Sequence, residues 1–179
     1  MNDMKRRRFN LRELYDEIFM EALDFKNIQT YPLKYNHEGC EFDAELSSTE
    51  STEVYVYVEE TEGIDRFVLP CRLKSAKSVA NFGFEISTGR ITTQLAKIEY
   101  KYYIRILATV GKYLTEYITA KKPDLVTFFS DNKSGEKGID PQKDDIYFMS
   151  LEKNTPSGYR LDKIYDNLRK KEGIVLYKI

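Results

Sequence analysis

The chain has 179 residues, 41% hydrophobic and 32% charged, with a formal net charge of −1. That balance suits one soluble globular domain and excludes a global field that would draw nucleic acid or an anionic membrane. No apolar run approaches the roughly 20 residues of a membrane span, and the basic start, Lys5, Arg6, Arg7 and Arg8, is not followed by the apolar core of an export signal.

Residues 9–25 predict an amphipathic helix. Asn10 stands as the N-cap with Glu13 at N3, and Phe9 and Leu14 take the two staple positions. Leu11, Leu14, Tyr15, Ile18, Ala22 and Phe25 line one apolar face. Together with the basic tail, this helix makes residues 1–26 an N-terminal addition to a single domain over 27–179. Its apolar face either packs on that domain or serves as a docking surface for a second copy or another protein, helix-in-groove fashion.

After Tyr31-Pro32, residues 40–46 (CEFDAEL) alternate strictly, with Phe42, Ala44 and Leu46 on one face and Glu41, Asp43 and Glu45 on the other, as in a half-exposed strand. A polar turn leads to a second strand, EVYVYVEE, over 53–60. Residues 66–73 (RFVLPCRL) read as a third, in which Pro70 argues for a sheet edge or a bulge. Residues 81–86 (NFGFEI) supply a fourth, and short strands joined by short turns predict an antiparallel meander.

The chain is organised around residues 97–122. Tyr103, Leu107, Val110, Leu114 and Tyr117 recur at helical spacing. Ile104, Ile106, Tyr113 and Ile118 widen that face until only Lys101, Arg105, Thr109, Lys112 and Glu116 remain as a polar stripe. A helix this apolar has to pack against a sheet. Pro123 stops it, and LVTFFS (125–130) has the pattern of a central strand buried on both faces. Residues 131–145 read as a surface loop. Residues 146–151 fit a short helix or a strand, with the helix favoured. Thr155-Pro156 opens a predicted helix over 156–171, with Leu161, Ile164, Tyr165 and Leu168 on its buried face. A last strand, IVLYKI, closes the chain.

Chemistry-bearing residues are few. His37 is the only histidine, so no zinc site is expected; Cys40, three residues on, makes a His37–Cys40 nucleophile pair the one arrangement to test. Cys40 and Cys71 otherwise read as free thiols. Asp131, Asp140, Asp144 and Asp145 do not follow the spacing of a calcium loop. The Lys5–Arg8 run gives at most non-specific affinity for phosphates. Tyr55 and Tyr57 would suit base stacking, but Glu53, Glu59 and Glu60 flank them and repel a nucleic-acid backbone. Neither metal, cofactor nor nucleic acid is expected. The 14 tyrosines suit core edges and protein contact surfaces.

Several stretches carry a family likeness. They are YPLKY (31–35), EFDAEL, EVYVYVEE, FGFEIS, the passage ATVGKYLTEYI–KKPDLVTFFS, and GYRLDKIYDNL with its Arg160-x-x-x-x-Tyr165 spacing. In order of elements, residues 30–179 resemble the GNAT acetyltransferase superfamily, and more closely a group of tailed-bacteriophage proteins that share this organisation. The resemblance implies an α+β fold with a mixed, mainly antiparallel sheet flanked by the 97–122 and 156–171 helices. It also implies an intracellular place, the host cytoplasm or a virion. The enzymes hold the acetyl-CoA pyrophosphate in a Gln/Arg-x-x-Gly-x-Gly/Ala loop at the start of the long helix. Here the equivalent stretch has Gly89 followed by Ile91, Thr92 and Thr93, leaving Arg90 as the one candidate phosphate contact. Arg160 and Tyr165 are expected to act as a structural anchor. The expected function is non-catalytic, through protein contacts. A divergent acyltransferase, with Arg90 near the cofactor and Tyr165 as general acid, is the alternative, and weak nucleic-acid binding is the second.

Overall fold

Alternation decides the first half of the sheet. In the computed structural model, which describes residues 24–61, 64–69, 73–86, 98–129 and 149–179, strand β1 is Lys34–Tyr35, β2 is Gly39–Glu45 and β3 is Ser51–Thr61. In β2, Cys40, Phe42 and Ala44 are buried, and in β3 so are Thr52, Val54 and Val56, all on one side. The register Cys40–Val56, Phe42–Val54 and Ala44–Thr52 aligns these side chains in pairs. A one-residue slip would turn all of them to water, so burial fixes the pairing.

The remaining strands are β4 (Phe67–Val68), β5 (Val79–Ile86), β6 (Leu125–Phe128), β7 (Tyr159–Asp166) and β8 (Lys171–Lys178), with helix α1 at Tyr100–Lys121. The fold is α+β, with one eight-stranded mixed sheet in the order β1-β2-β3-β5-β6-β8-β7-β4. Six of its seven ladders are antiparallel; β5 and β6 run parallel, which requires the crossover that contains α1. The strand predicted from LVTFFS is central, and all four residues of β6 are buried. The third predicted strand forms over only two residues and leaves the expected meander for the far edge beside β7, so β3 neighbours β5 instead. An edge is where a Pro-containing segment does least harm to a ladder.

The apolar face of α1, including Ile106, Val110, Leu114 and Ile118, packs on Phe42, Val56, Phe82 and Val126. Of its expected polar stripe, Lys101, Lys112 and Glu116 are exposed, but the middle is covered. Thr109 is fully buried, its Oγ1 accepting from Tyr31 N at 3.0 Å and donating to Arg105 O at 2.8 Å. Arg105 donates to Gln29 O at 2.9 Å and lies 3.9 Å from the centre of the Tyr31 ring. A second core forms on the opposite face at the β4 end, from Phe67, Leu69, Leu73, Leu125, Ile164 and Val175.

The helix expected over 156–171 is a β-hairpin. Pro156 O accepts from Tyr159 N at 3.2 Å, and β7 then pairs with β8 along its whole length. The misleading spacing arises because Leu161 and Ile164 point to opposite sides of a strand and Leu168 lies in the turn. With Val175, Leu176 and Tyr177 buried, β8 offers an eight-pair ladder that helix propensity cannot match. Thr155 closes a helix instead of opening one: its Oγ1 donates to Leu151 O at 2.7 Å at the end of the helical residues 149–153. The helix predicted over 9–25 lies outside the described residues up to 23; Phe25 begins a short 3-10 turn, Phe25–Asn27, capped by Asp24.

Candidate interaction surface

The face of β2, β3 and β5 turned away from α1 is built by the polar half of each alternation. Between residues 39 and 61 the chain has seven carboxylates and no lysine, arginine or histidine. Glu41, Asp43, Glu53, Glu59 and Glu85 share this face. In register, Asp43 faces Glu53, while Tyr55 stands between Glu41 and Glu85. Like charges directly opposite each other weaken a ladder, so the arrangement is held by burial on the other side. Tyr55 Oη donates to Glu53 at 2.8 Å, and Lys34 Nζ reaches Asp43 at 3.0 Å with both side chains exposed. Tyr57 sits between Gly39 and Gly83 in the register and lays its ring across Gly83, where any Cβ would collide with it. The result is an acidic sheet face with tyrosines at its centre.

On the helix side, tyrosines pair with carboxylates. Tyr35 Oη donates to Glu116 at 2.6 Å; that bond to a carboxylate, with burial second, pushes the phenol up to about 12. Tyr117 donates to Glu60 at 3.1 Å, and burial followed by Glu60 raises it too. Cys40 lies beneath, fully buried, its thiol pushed up to about 12 mainly by burial. His37 is in contrast 92% exposed, 3.8 Å from Glu38 in a turn. A solvated imidazole and a sealed thiol do not make a nucleophile pair.

At the far end of the sheet, the β7–β8 turn is tied down by Asp166. Its side chain has no exposure and meets Arg66 through both carboxylate oxygens, at 2.5 and 3.2 Å. Asp166 Oδ1 also accepts from the backbone N–H groups of Leu168 at 2.9 Å and Arg169 at 3.3 Å. Burial alone would raise its pKa, but Arg66 and the two amides outweigh that and hold it below the usual carboxylate range. Nothing in the residue pattern marked this pair, because Asp166 stood inside the predicted helix.

Arg160 and Tyr165 lie five residues apart on β7 and therefore point to opposite faces, so they do not form one site. Tyr165 is 38% exposed and pairs in register with Val68 on β4. It lies on no helical stripe. Among the expected interface residues, Leu11, Leu14, Tyr15, Ile18 and Ala22 lie outside the described residues, as do Arg90, Cys71, the Lys5–Arg8 run and the four loop aspartates. Phe25 is placed: its ring packs on α1, 3.0 Å from where a Cβ on Gly111 would stand.

Among the described residues no group of three or more His, Cys, Asp or Glu could hold a metal ion, and no helix is long and apolar enough to cross a membrane. The chain matches no family model, no curated protein and no solved structure.

Proposed function

We propose that this is a non-catalytic protein of the tailed-phage type, a virion component or an accessory factor in the infected cell, and that it acts through protein contacts. The observation that carries the reading is the acidic, tyrosine-centred face of β2, β3 and β5, with Asp43, Glu53, Tyr55 and Glu85 exposed on a rigid sheet whose other side is packed under α1. Rigid strands presenting tyrosine and charge suit recognition of another protein. Purification of the tagged chain from its native source is expected to yield a stoichiometric complex. Recovery as an isolated monomer at native abundance would sink the reading.

A GNAT-like acyltransferase is the second reading. What supports it is the fork between the parallel strands: β5 continues to Ile86, four residues beyond Phe82, its last partner in β6. Ligands of open sheets settle beyond such strand ends. Against it stands Glu99 at the N-cap of α1, a carboxylate where a pyrophosphate would need unopposed amides. Titration with acetyl-CoA separates the two: an unmoved melting temperature is expected, and a saturable rise would favour the enzyme.

A further inference from the structure

The two hairpins of this sheet are opposite in charge. Against the seven carboxylates of residues 39–61, residues 160–171 carry five cations and two acids, Asp162 and Asp166; Asp166 is shared by Arg66 and by Arg169, whose Nε lies 3.7 Å away, and Lys163 lies 3.9 Å from Glu172. The same region holds exposed apolar surface. Of the six large hydrophobic side chains exposed among the described residues, Val68, Tyr165 and Leu168 share the corner made by β4 and the β7–β8 turn, at 55%, 38% and 73% exposure. Isolated exposed leucines are common; here three exposed apolar side chains belong to one edge strand, its partner and the turn that follows.

The turn is also preorganised. Asp166 holds the amides of Leu168 and Arg169, Asn167 N donates to Arg66 O at 2.8 Å, and Lys170 is fixed in the left-handed region at φ 54°. Arg169 is braced over the Phe129 ring, 5.1 Å from its centre. Leu168 is thus presented on a fixed loop with Arg169 and Lys170 next in the chain, and Glu172 beyond them lies 3.9 Å from Lys163. A surface that is already rigid loses little freedom on binding.

We propose that the β7–β8 turn of one copy docks on the β2–β3–β5 face of a second copy. Leu168 meets the exposed Tyr55, and Arg169 and Lys170 meet Glu41, Glu53 and Glu85. The proposal rests on the protein-contact reading and names the partner as the chain itself. Because the two surfaces differ, the contact is head-to-tail, and it builds a ring or an open filament according to whether the rotation closes.

The test uses the full chain in analytical ultracentrifugation across a concentration series. Oligomers are expected at low salt that dissociate near ~1 M salt, where the screening length falls to about 3 Å. A turn variant, Leu168→Ser with Lys170→Glu, and a face variant, Glu41→Lys with Glu85→Lys, are each expected to be monomeric with unchanged circular dichroism. Mixed together, they retain one intact turn and one intact face, and form a 1:1 dimer that grows no further. Folded variants that leave the oligomers intact, or a mixture that stays monomeric, would overturn the proposal. So would a wild-type chain that is monomeric throughout; a native complex with a different protein would then leave the contact reading standing while this partner falls. Binding of the monomeric wild type, but not the turn variant, to phosphatidylserine vesicles would assign the turn to lipid and equally overturn it.

Discussion

Arg66 and Asp166, a hundred residues apart in the chain, meet side by side through Nε and Nη2, and this pair fastens edge strand β4 to the β7–β8 turn. Asp166 is sealed from water while Arg66 keeps 28% of its side chain exposed. The two removals are therefore unequal. Arg66→Met leaves a buried carboxylate with only two amides and the more distant Arg169, at 3.7 Å, and is expected to destabilise the fold on the order of 3 kcal/mol. Asp166→Asn leaves a cation that can reach solvent and is expected to cost less, since the amide oxygen still accepts from Leu168 and Arg169. Urea unfolding of the two variants checks the order, and equal costs would mean the carboxylate is not sealed.

Stability is expected to fall at both ends of the pH scale, for different groups. Asp166 and Asp124 have depressed pKa values: at Asp166 the bonds to Arg66 and two amides overcome burial, and at Asp124 the amides of Lys77 and Ser78 act. Their stabilisation is complete above the ordinary carboxylate pKa of about 3.9 and is lost as pH falls through the lower folded values. At the alkaline end, Tyr35 and Cys40 have pKa values raised to about 12. Their contribution is intact below their unfolded values, about 8.5 for the thiol and 10 for the phenol, and disappears as pH climbs toward the folded ones. Melting temperatures across pH should show both limbs, and the acid limb should flatten in Asp166→Asn.

Cys40 is expected to be inert in the native state. In a Cys71→Ser background, Ellman's reagent at pH 8 should label Cys40 only at the rate of unfolding, because both burial and the raised pKa withhold the thiolate. Immediate labelling would show that the β2–α1 contact opens locally.

Gly39 and Gly83 flank the same tyrosine but should respond differently to alanine. A Cβ at Gly39 would strike Val56 O, a backbone atom inside the β2–β3 ladder, whereas at Gly83 it would strike only the Tyr57 ring. Gly39→Ala is expected to cost about 3 kcal/mol or more and to disturb the hairpin. Gly83→Ala should cost roughly 1 kcal/mol as the ring lifts. Comparable melting temperatures for the two variants would contradict this.

What was legible in the sequence was what a period of two or of 3.6 records. Alternation located β2 and β3, the apolar stripe located α1, and an unbroken apolar run marked β6 as central. Tertiary partners left no such trace. Thr109 read as part of a solvated stripe because its hydroxyl is polar, yet residues 29–31 lie over it, and that hydroxyl accepts from Tyr31 N and donates to Arg105 O of its own helix. Leu161, Ile164 and Leu168 mimicked a helix because four residues of spacing say nothing about an adjacent ladder. Of the candidate site, the carboxylates of β2 and β3 were visible as residues, but their gathering on one face with Glu85 needed the β3–β5 register. The Arg66–Asp166 bond needed the unexpected placement of β4.

Strand order also sets an order of events during synthesis. Strands β1, β2, β3 and β5 can pair as they emerge, and β6 can join them once α1 has carried the chain across. The next strand made, β7, has no place beside β6, because the position between them belongs to β8, which leaves the ribosome last of the eight. Until β8 arrives, the edge of β6 stands open, and β4, made early, waits for a neighbour that cannot yet be fixed. The nascent chain thus carries an unpaired edge, on a strand whose four residues all end up buried, through the later part of its translation. It is in that interval that mispairing with another strand, or protection by a chaperone, would decide the yield of folded protein.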